Sequence, residues 1–382
     1  MATTGGSGLD ATALRALRDR IQAEIDNGVA PAAQFALARN GELVAFESFG
    51  TATDSTRFAL FSATKAWIAG VVWQLIGEGL LAPETLVVDV IPGFGSAGRS
   101  ADVVGRITLE HVLTHTGGFP YAPLGPPEWS DRSSRLDKMT RWRLDTQPGE
   151  RFEYHATAAH WVAAEMIEAT TGRNYLDEVR ERVTEPLGLS AFVLGPPGGE
   201  LTDVAELVAT GAPPTSAELI ELFGNDEILL FGDITPDLLL GFNDPQSRDV
   251  GLPGGGGIGT AADLALLYQG FLHNPAGLWE PSALQDGTGN VRCTLPDPMR
   301  GHASNRTLGL IVAGDDGNAA LRGMGRVASP RTFGHNGAAG QIAWADPDSG
   351  LSFGFTICGI DRDFLAEGRR TASLSSRAAA TV

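Results

Sequence analysis

Cysteine is scarce in this chain. Only Cys293 and Cys358 occur in 382 residues, too few for a disulfide framework and without the spacing of a zinc site. Long apolar runs are missing too: no stretch approaches the ~20 apolar residues that cross a bilayer, so no membrane partner is expected. The N-terminal Met-Ala-Thr-Thr-Gly-Gly-Ser-Gly has neither a basic nor an apolar segment, which excludes a secretion signal there and makes the cytoplasm the expected location. Basic residues are outnumbered, 28 Lys and Arg against 46 Asp and Glu, for a formal net charge of −18. Such a surface repels phosphate backbones, so nucleic acid is not an expected partner. No G-x-S-x-G elbow is present, which argues against an α/β-hydrolase. Gly254-Gly255-Gly256-Gly257-Ile258-Gly259 fits G-x-G-x-x-G formally, but it follows Pro253 rather than a strand, so no dinucleotide is expected.

What is present reads as a globular protein, 43% hydrophobic and 19% charged. Its length suits one large domain or about two, at roughly 150 residues each. Residues 10–27 carry Leu14, Leu17, Ile21 and Ile25 at helical spacing. Two strands are predicted at 32–38 and 42–49, joined by Asn40-Gly41, a pair suited to a type I′ hairpin. A second pair is predicted at 340–345 and 351–358, flanking Asp346-Pro347-Asp348-Ser349-Gly350. Residues 361–377 read as a last helix, followed by an Ala-rich tail expected to fray. From about 80 to 305 the pattern is mostly helical. The expected class is α+β: an antiparallel sheet from both chain ends, flanked by terminal helices (1–80 and 306–382), with a large, mostly helical inserted domain (81–305). Residues 195–249, rich in Pro and Gly, are expected to form a mobile cap over the cleft and to set specificity.

Chemistry concentrates at Ser62-Ala63-Thr64-Lys65. Residues three apart share a helix face, so the lysine amine can reach the serine hydroxyl. Serine is a weak nucleophile until a neighbour takes its proton. Most such pairs are a solvated Ser and a surface Lys. Here, however, residues 66–76 are almost wholly apolar, the mark of a buried helix, and an ordinary surface lysine does not belong at its first turn. Tyr154 precedes a second apolar helix, 158–169. A tyrosine there is usually core packing; beside an ammonium it could instead work as a phenolate that takes and returns the Ser62 proton. His335-Asn336-Gly337 stands just before the strand at 340–345. On the bland reading this is a strand-end histidine at a turn. On the functional one the strand walls the cleft, Gly337 lets the backbone approach a ligand, and the N–H groups of Ala338 and Ser62 form an oxyanion hole.

Taken together, these motifs resemble the serine beta-lactamase and penicillin-binding-protein superfamily in its class C-like branch. That branch includes class C beta-lactamases, D-Ala-D-Ala carboxypeptidases and family VIII carboxylesterases. Its S-x-x-K, Y-x-N and K-T-G or H-x-G elements occur in order as Ser62/Lys65, Tyr154 and His335/Gly337. Residues 107–118 and 259–264 also look typical of the branch, and the likeness runs from about residue 10 to 360. The resemblance implies catalytic Ser62, Lys65 and Tyr154, and oxyanion or substrate-binding roles around Ala338, His335, Gly337, Asn336 and His155. It implies no metal and no cofactor. Two departures stand out. Ala156 replaces the Asn that in the family binds the substrate amide and the lysine. His335 replaces the Lys that helps receive a carboxylate; it still donates a hydrogen bond and could turn cationic in acid. Both losses point from beta-lactams and D-Ala peptides toward neutral esters.

The expected function is therefore hydrolysis of carboxylic esters through a Ser62 acyl-enzyme, with Lys65 and Tyr154 sharing the proton work in an order the sequence leaves open. The alternatives are a beta-lactamase, a D-amino-acid peptidase or an acyltransferase on the same machinery, or a non-catalytic binding protein of the same fold. His111 and His115 read as buried hydrogen-bonding groups rather than a metal pair. Trp129, Trp142, Trp161 and Trp344 either line an acyl pocket or pack. Asn305-Arg306-Thr307 matches a glycosylation sequon and carries no weight without a secretory route.

Overall fold

Alternating apolar residues at both ends of the chain meet in one sheet. In this computed structural model, which describes residues 8–97, 101–196, 201–224, 226, 234–299 and 301–382, its strands are β1 (Ala32–Arg39), β2 (Glu42–Gly50), β3 (Ile311–Val312), β4 (Phe333–Gly334), β5 (Ile342–Asp346) and β6 (Leu351–Ile357). They are antiparallel throughout, in the order β2-β1-β6-β5-β4-β3. Asn40 and Gly41 both have positive φ (54° and 81°), as a type I′ turn requires. At the centre Phe35 faces Phe355, which faces Ile342, so large apolar side chains line one side of the sheet. The terminal helices α1 (Ala11–Asp26) and α6 (Phe364–Ala379) cover that side with Leu17, Ile21, Leu374 and Ala378, all fully buried. The expected α+β class holds.

The sheet's other side carries small residues, and this decides what packs there. Helix α5 (Ala261–His273) lies on Ala36 and Ala38 through Ala261 and Ala265. A Cβ on Gly354 would come within 2.2 Å of the Ala261 carbonyl oxygen. Gln269 locks the contact by donating to Ala38 O (3.0 Å), Gly350 O (3.1 Å) and Ser352 Oγ (2.9 Å). This helix falls inside 81–305, so part of the expected insert lies directly on the sheet. Beyond it, α2 (Lys65–Gly77) is buried on every side and packs against α4 (Ala158–Thr171); the short α3 (Leu109–Leu113) packs on α4 as well. The functional residues lie between the sheet and this helical layer.

Several local expectations shift. Strand β5 begins at Ile342 rather than 340, because Ala339 (φ 59°) and Gly340 (φ 87°) turn the chain first. Helix α6 begins at Phe364 rather than 361: Gly359–Asp361 pairs in parallel with Val208–Thr210, and Asp363 caps the helix by accepting from the N–H groups of Leu365 and Ala366. The tail does not fray. Ala378 and Thr381 are fully buried, and the Thr381 carbonyl accepts from Asp10 N–H at 2.7 Å, which ties the end of the chain to α1. Trp142, Trp161 and Trp344 pack in the core. Part of 195–249 lies outside the described residues; within it, Ser216–Phe223 is a helix that buries none of its side chains. Among the described residues no helix is long and apolar enough to cross a membrane.

Because the α1–α6 contact is core rather than trimming, Leu374→Ala is expected to cost about 2–5 kcal/mol in urea unfolding; a loss below about 1 kcal/mol would show that the last helix is dispensable.

Candidate active site

Ser62 does not begin the α-helix. It sits in a tight 3₁₀ turn, Phe61–Thr64, and α2 starts at Lys65. Phe61 is held at φ 45°, an uncommon conformation for a bulky residue, with its ring packed edge-on against Phe242 at 5.4 Å. The turn keeps the expected geometry: Lys65 Nζ lies 3.2 Å from Ser62 Oγ. Two carbonyl oxygens also accept from Nζ, Ala156 O at 2.9 Å and Gly254 O at 2.5 Å. Lys65 is fully buried and has no carboxylate partner among the described residues. Burial lowers its pKa; attraction to Tyr154 opposes this, and the nearby Arg306 charge adds to the lowering.

The glycine run set aside as a false dinucleotide motif is part of this site. Leu60 N–H donates to Gly257 O (2.8 Å) and Gly257 N–H to Thr64 Oγ1 (3.0 Å), which clamps the run to the nucleophile turn. At Gly254 a Cβ would stand 3.1 Å from Lys65 Nζ. Gly337 is more tightly constrained: a Cβ there would lie 2.2 Å from the Leu60 carbonyl oxygen, so the 335–338 segment packs directly on the Ser62 turn. The next residue, Ala338, opens the turn before β5. Among the described residues neither Ser62 N–H nor Ala338 N–H is hydrogen-bonded, which leaves both able to receive an oxyanion.

Tyr154 stands over Lys65, with Nζ 5.2 Å from its ring centroid. Its ring lies 6.0 Å from that of His335 and 4.6 Å from that of His115. On another side is Arg306, whose guanidinium carbon is 5.4 Å from the Tyr154 centroid and 5.2 Å from that of Phe152. Arg306 is buried and forms no ion pair among the described residues. Its Nη1 reaches His335 Nε2 at 3.3 Å, while His335 Nδ1 lies 2.9 Å from the Asn336 carbonyl oxygen. These partners put the His335 proton on Nδ1 and make Nε2 the acceptor from arginine. Burial first, then the Arg306 and Lys65 charges, drive the His335 pKa well below the ordinary imidazole value. The acid charging expected of His335 is thus displaced to lower pH than for an ordinary imidazole. A positive charge does stand beside this position, on Arg306, which sits in the sequon triplet and which nothing in the sequence singles out.

Two residues assigned to the substrate by resemblance are engaged with the protein. Asn336 accepts from Ala343 N–H at 3.1 Å and donates to Gly323 O at 3.4 Å, bracing the sheet edge. His155 contacts Glu153 O through Nδ1 (2.5 Å) and accepts from Phe119 N–H at Nε2 (3.0 Å), so neither ring nitrogen is free for a ligand. His111 completes a capping box with Thr108 at the start of α3. His115, read from the sequence as a buried hydrogen-bonding group, and His160 are both fully buried beside this cluster.

Four buried histidines therefore lie around the buried Lys65 and Arg306. Burial leads in depressing the pKa of His115, His155, His160 and His335, that of His155 to about 4. Above the unfolded value of about 6.5 neither state takes up a proton, and nothing is lost. As pH falls below it, the unfolded chain binds protons the folded one refuses, and stability drops by about 1.4 kcal/mol per pH unit for each such histidine. Urea midpoints should accordingly fall between pH 7.5 and 5.5, a window in which most carboxylates stay ionised. A flat response would contradict a neutral cluster.

Comparison with known proteins agrees with this geometry. The sequence model for the beta-lactamase family matches residues 17–363. A penicillin-binding-protein homologue from Caulobacter crescentus has a similar structure, at 26% identity and a TM-score of 0.77, covering 97% of this chain and 98% of that one. A family VIII carboxylesterase shares the fold at 23% identity and a TM-score of 0.77, covering 96% and 98%. A protein of Escherichia coli strain K12, provisionally named a D-alanyl-D-alanine carboxypeptidase, is 27% identical over 317 residues, 78% of this chain and 67% of its own length. With its family match spanning nearly the whole length, the chain belongs to the beta-lactamase family and is a serine hydrolase of that fold.

Proposed function

We propose that this hydrolase cleaves small carboxylic esters through an acyl-enzyme on Ser62. The observation that carries the proposal is the setting of Lys65: two carbonyl oxygens and Ser62 Oγ around Nζ, full burial, and no carboxylate partner among the described residues. A neutral amine has two N–H donors and one lone pair. With the donors on Ala156 O and Gly254 O, the lone pair is directed at the serine hydroxyl. Lys65 accepts the Ser62 proton as the oxygen attacks the ester carbonyl, and the N–H groups of Ser62 and Ala338 bind the oxyanion. Tyr154, beside Lys65, passes a proton to the departing alkoxide. Water then attacks the acyl-enzyme by the reverse relay and releases the acid. No step calls on a metal or cofactor.

Ala156 offers no side-chain amide to a peptide-like substrate, and neutral His335 offers no charge, which favours plain esters. Arg306 supports a second reading, in which the acyl or leaving group bears a carboxylate and the guanidinium receives it. Peptidase or beta-lactamase turnover would belong to that reading.

Hydrolysis of p-nitrophenyl acetate and butyrate, run beside a chromogenic cephalosporin, separates the two. Ester turnover with little cephalosporin turnover is expected, and Ser62→Ala should lower kcat by at least 10³-fold with the fold intact. Retained turnover in that variant would end the scheme. Arg306→Met should leave KM for neutral esters within about threefold if plain esters are the substrates; a rise of ~10-fold or more confined to a hemisuccinate-type ester would favour the carboxylate reading.

A further inference from the structure

Behind Lys65 and Tyr154, two imidazoles carry ring nitrogens that the acyl-transfer scheme does not use. His160, in the first turn of α4, is fully buried, and neither Nδ1 nor Nε2 has a hydrogen-bond partner. His115, equally buried, accepts at Nδ1 from His155 N–H (3.2 Å), so its proton belongs on Nε2, and that donor is also unmatched. The two rings lie 5.9 Å apart with planes inclined at 28°. A Cβ on Gly254 would be 3.1 Å from Lys65 Nζ and 3.2 Å from His160 Cβ, so both side chains border Gly254, and the Lys65 charge acts on the His160 ring.

The titratable groups facing His160 are Lys65 from α2, Arg306 and His335 from the sheet side, His155 from the segment before α4 and His115 from the turn after α3. No carboxylate is among them. His160 is therefore neutral, with one donor and one acceptor, both in need of a partner. Buried polar groups in folded proteins find one, and where the chain supplies none the usual partner is an ordered water making about three hydrogen bonds. A water here could accept from His115 Nε2–H and donate to the unprotonated nitrogen of His160.

We propose that His115 and His160 hold an internal water behind the Lys65–Tyr154 couple, and that His160 acts through it as a positioning residue for that couple. It does not touch substrate. The water fixes the two rings, the His115 ring supports Tyr154, and the pair keeps the space behind Lys65 polar without adding charge. Only the kinetic consequence rests on the esterase reading.

The test compares His160→Phe with His160→Gln. If the nitrogens are bare, phenylalanine removes unmatched polar groups and raises Tm. If they hold water, it lowers Tm, while glutamine, which can still bond a water, keeps Tm near wild type. On p-nitrophenyl butyrate the Phe variant should lose at least tenfold in kcat with KM within twofold and a shifted acid limb of the pH profile. The Gln variant should recover to within about threefold. Raised or unchanged Tm in the Phe variant, or an unchanged kcat and pH profile, overturns the proposal. Absence of ester turnover in the wild type would defeat the esterase reading instead, and the Tm comparison would still decide the water site. Should the Phe variant not fold, ¹⁵N-edited NMR of the wild type decides: a cross-peak between water and His115 Nε2–H supports the site, and its absence overturns it.

Discussion

A lysine amine buried without a carboxylate partner among the described residues is the constraint on which the rest of this structure depends. Removing an isolated ammonium from water is costly, whereas an amine whose N–H groups meet two carbonyls is buried at modest cost. Lys65 has such a setting, and several local features serve it. Gly254 brings its carbonyl to Nζ at a position where an added Cβ would press on the lysine, Ala156 and His160. The Tyr154–Ala156 segment brings the second carbonyl. The strained backbone at Phe61 turns Ser62 toward the same nitrogen. Stability is given up at each point, and chemistry is what the arrangement gains.

Charge at the site is organised against the character of the whole molecule. The chain carries a net −18, yet its cleft holds Lys65 and Arg306 and no paired carboxylate among the described residues. Four neutral histidines fill the space around them. Neutral imidazoles suit such a site because they supply donors and acceptors without adding a further positive charge beside Arg306 and Lys65. His335 illustrates the trade. It occupies the position where a cation would stand in the K-T-G pattern, but it serves as the acceptor that orients a cation brought from elsewhere.

What could be read from the sequence was local. Ser62 and Lys65 are three residues apart, so their meeting needed only a helical turn, and Asn40-Gly41 specifies its hairpin through backbone preference alone. The fold class followed from apolar alternation at both chain ends. Arg306 was illegible because its place depends on long-range pairing: its backbone bridges Cys293, and only the sheet brings it to His335, 29 residues on. Gly254 was visible as a glycine but not as a lysine ligand, since its carbonyl acts and a carbonyl carries no residue signature. Asn336 and His155 were misplaced for the opposite reason: they neighbour motif residues, and each side chain braces the fold instead. The Ala-rich tail resembled a fraying end because its partner, α1, lies at the far end of the chain.

The central claim is that Lys65 is poised as a neutral base, and NMR tests it most directly. With ¹³C-labelled lysine and Lys65→Arg to assign the resonance, the Cε shift can be followed against pH. A titration midpoint clearly below the ordinary lysine value of about 10.4 is predicted, with the neutral amine present where the enzyme works. A midpoint at or above that value would show that Lys65 remains an ammonium, and the proton of Ser62 would then have to leave by way of Tyr154.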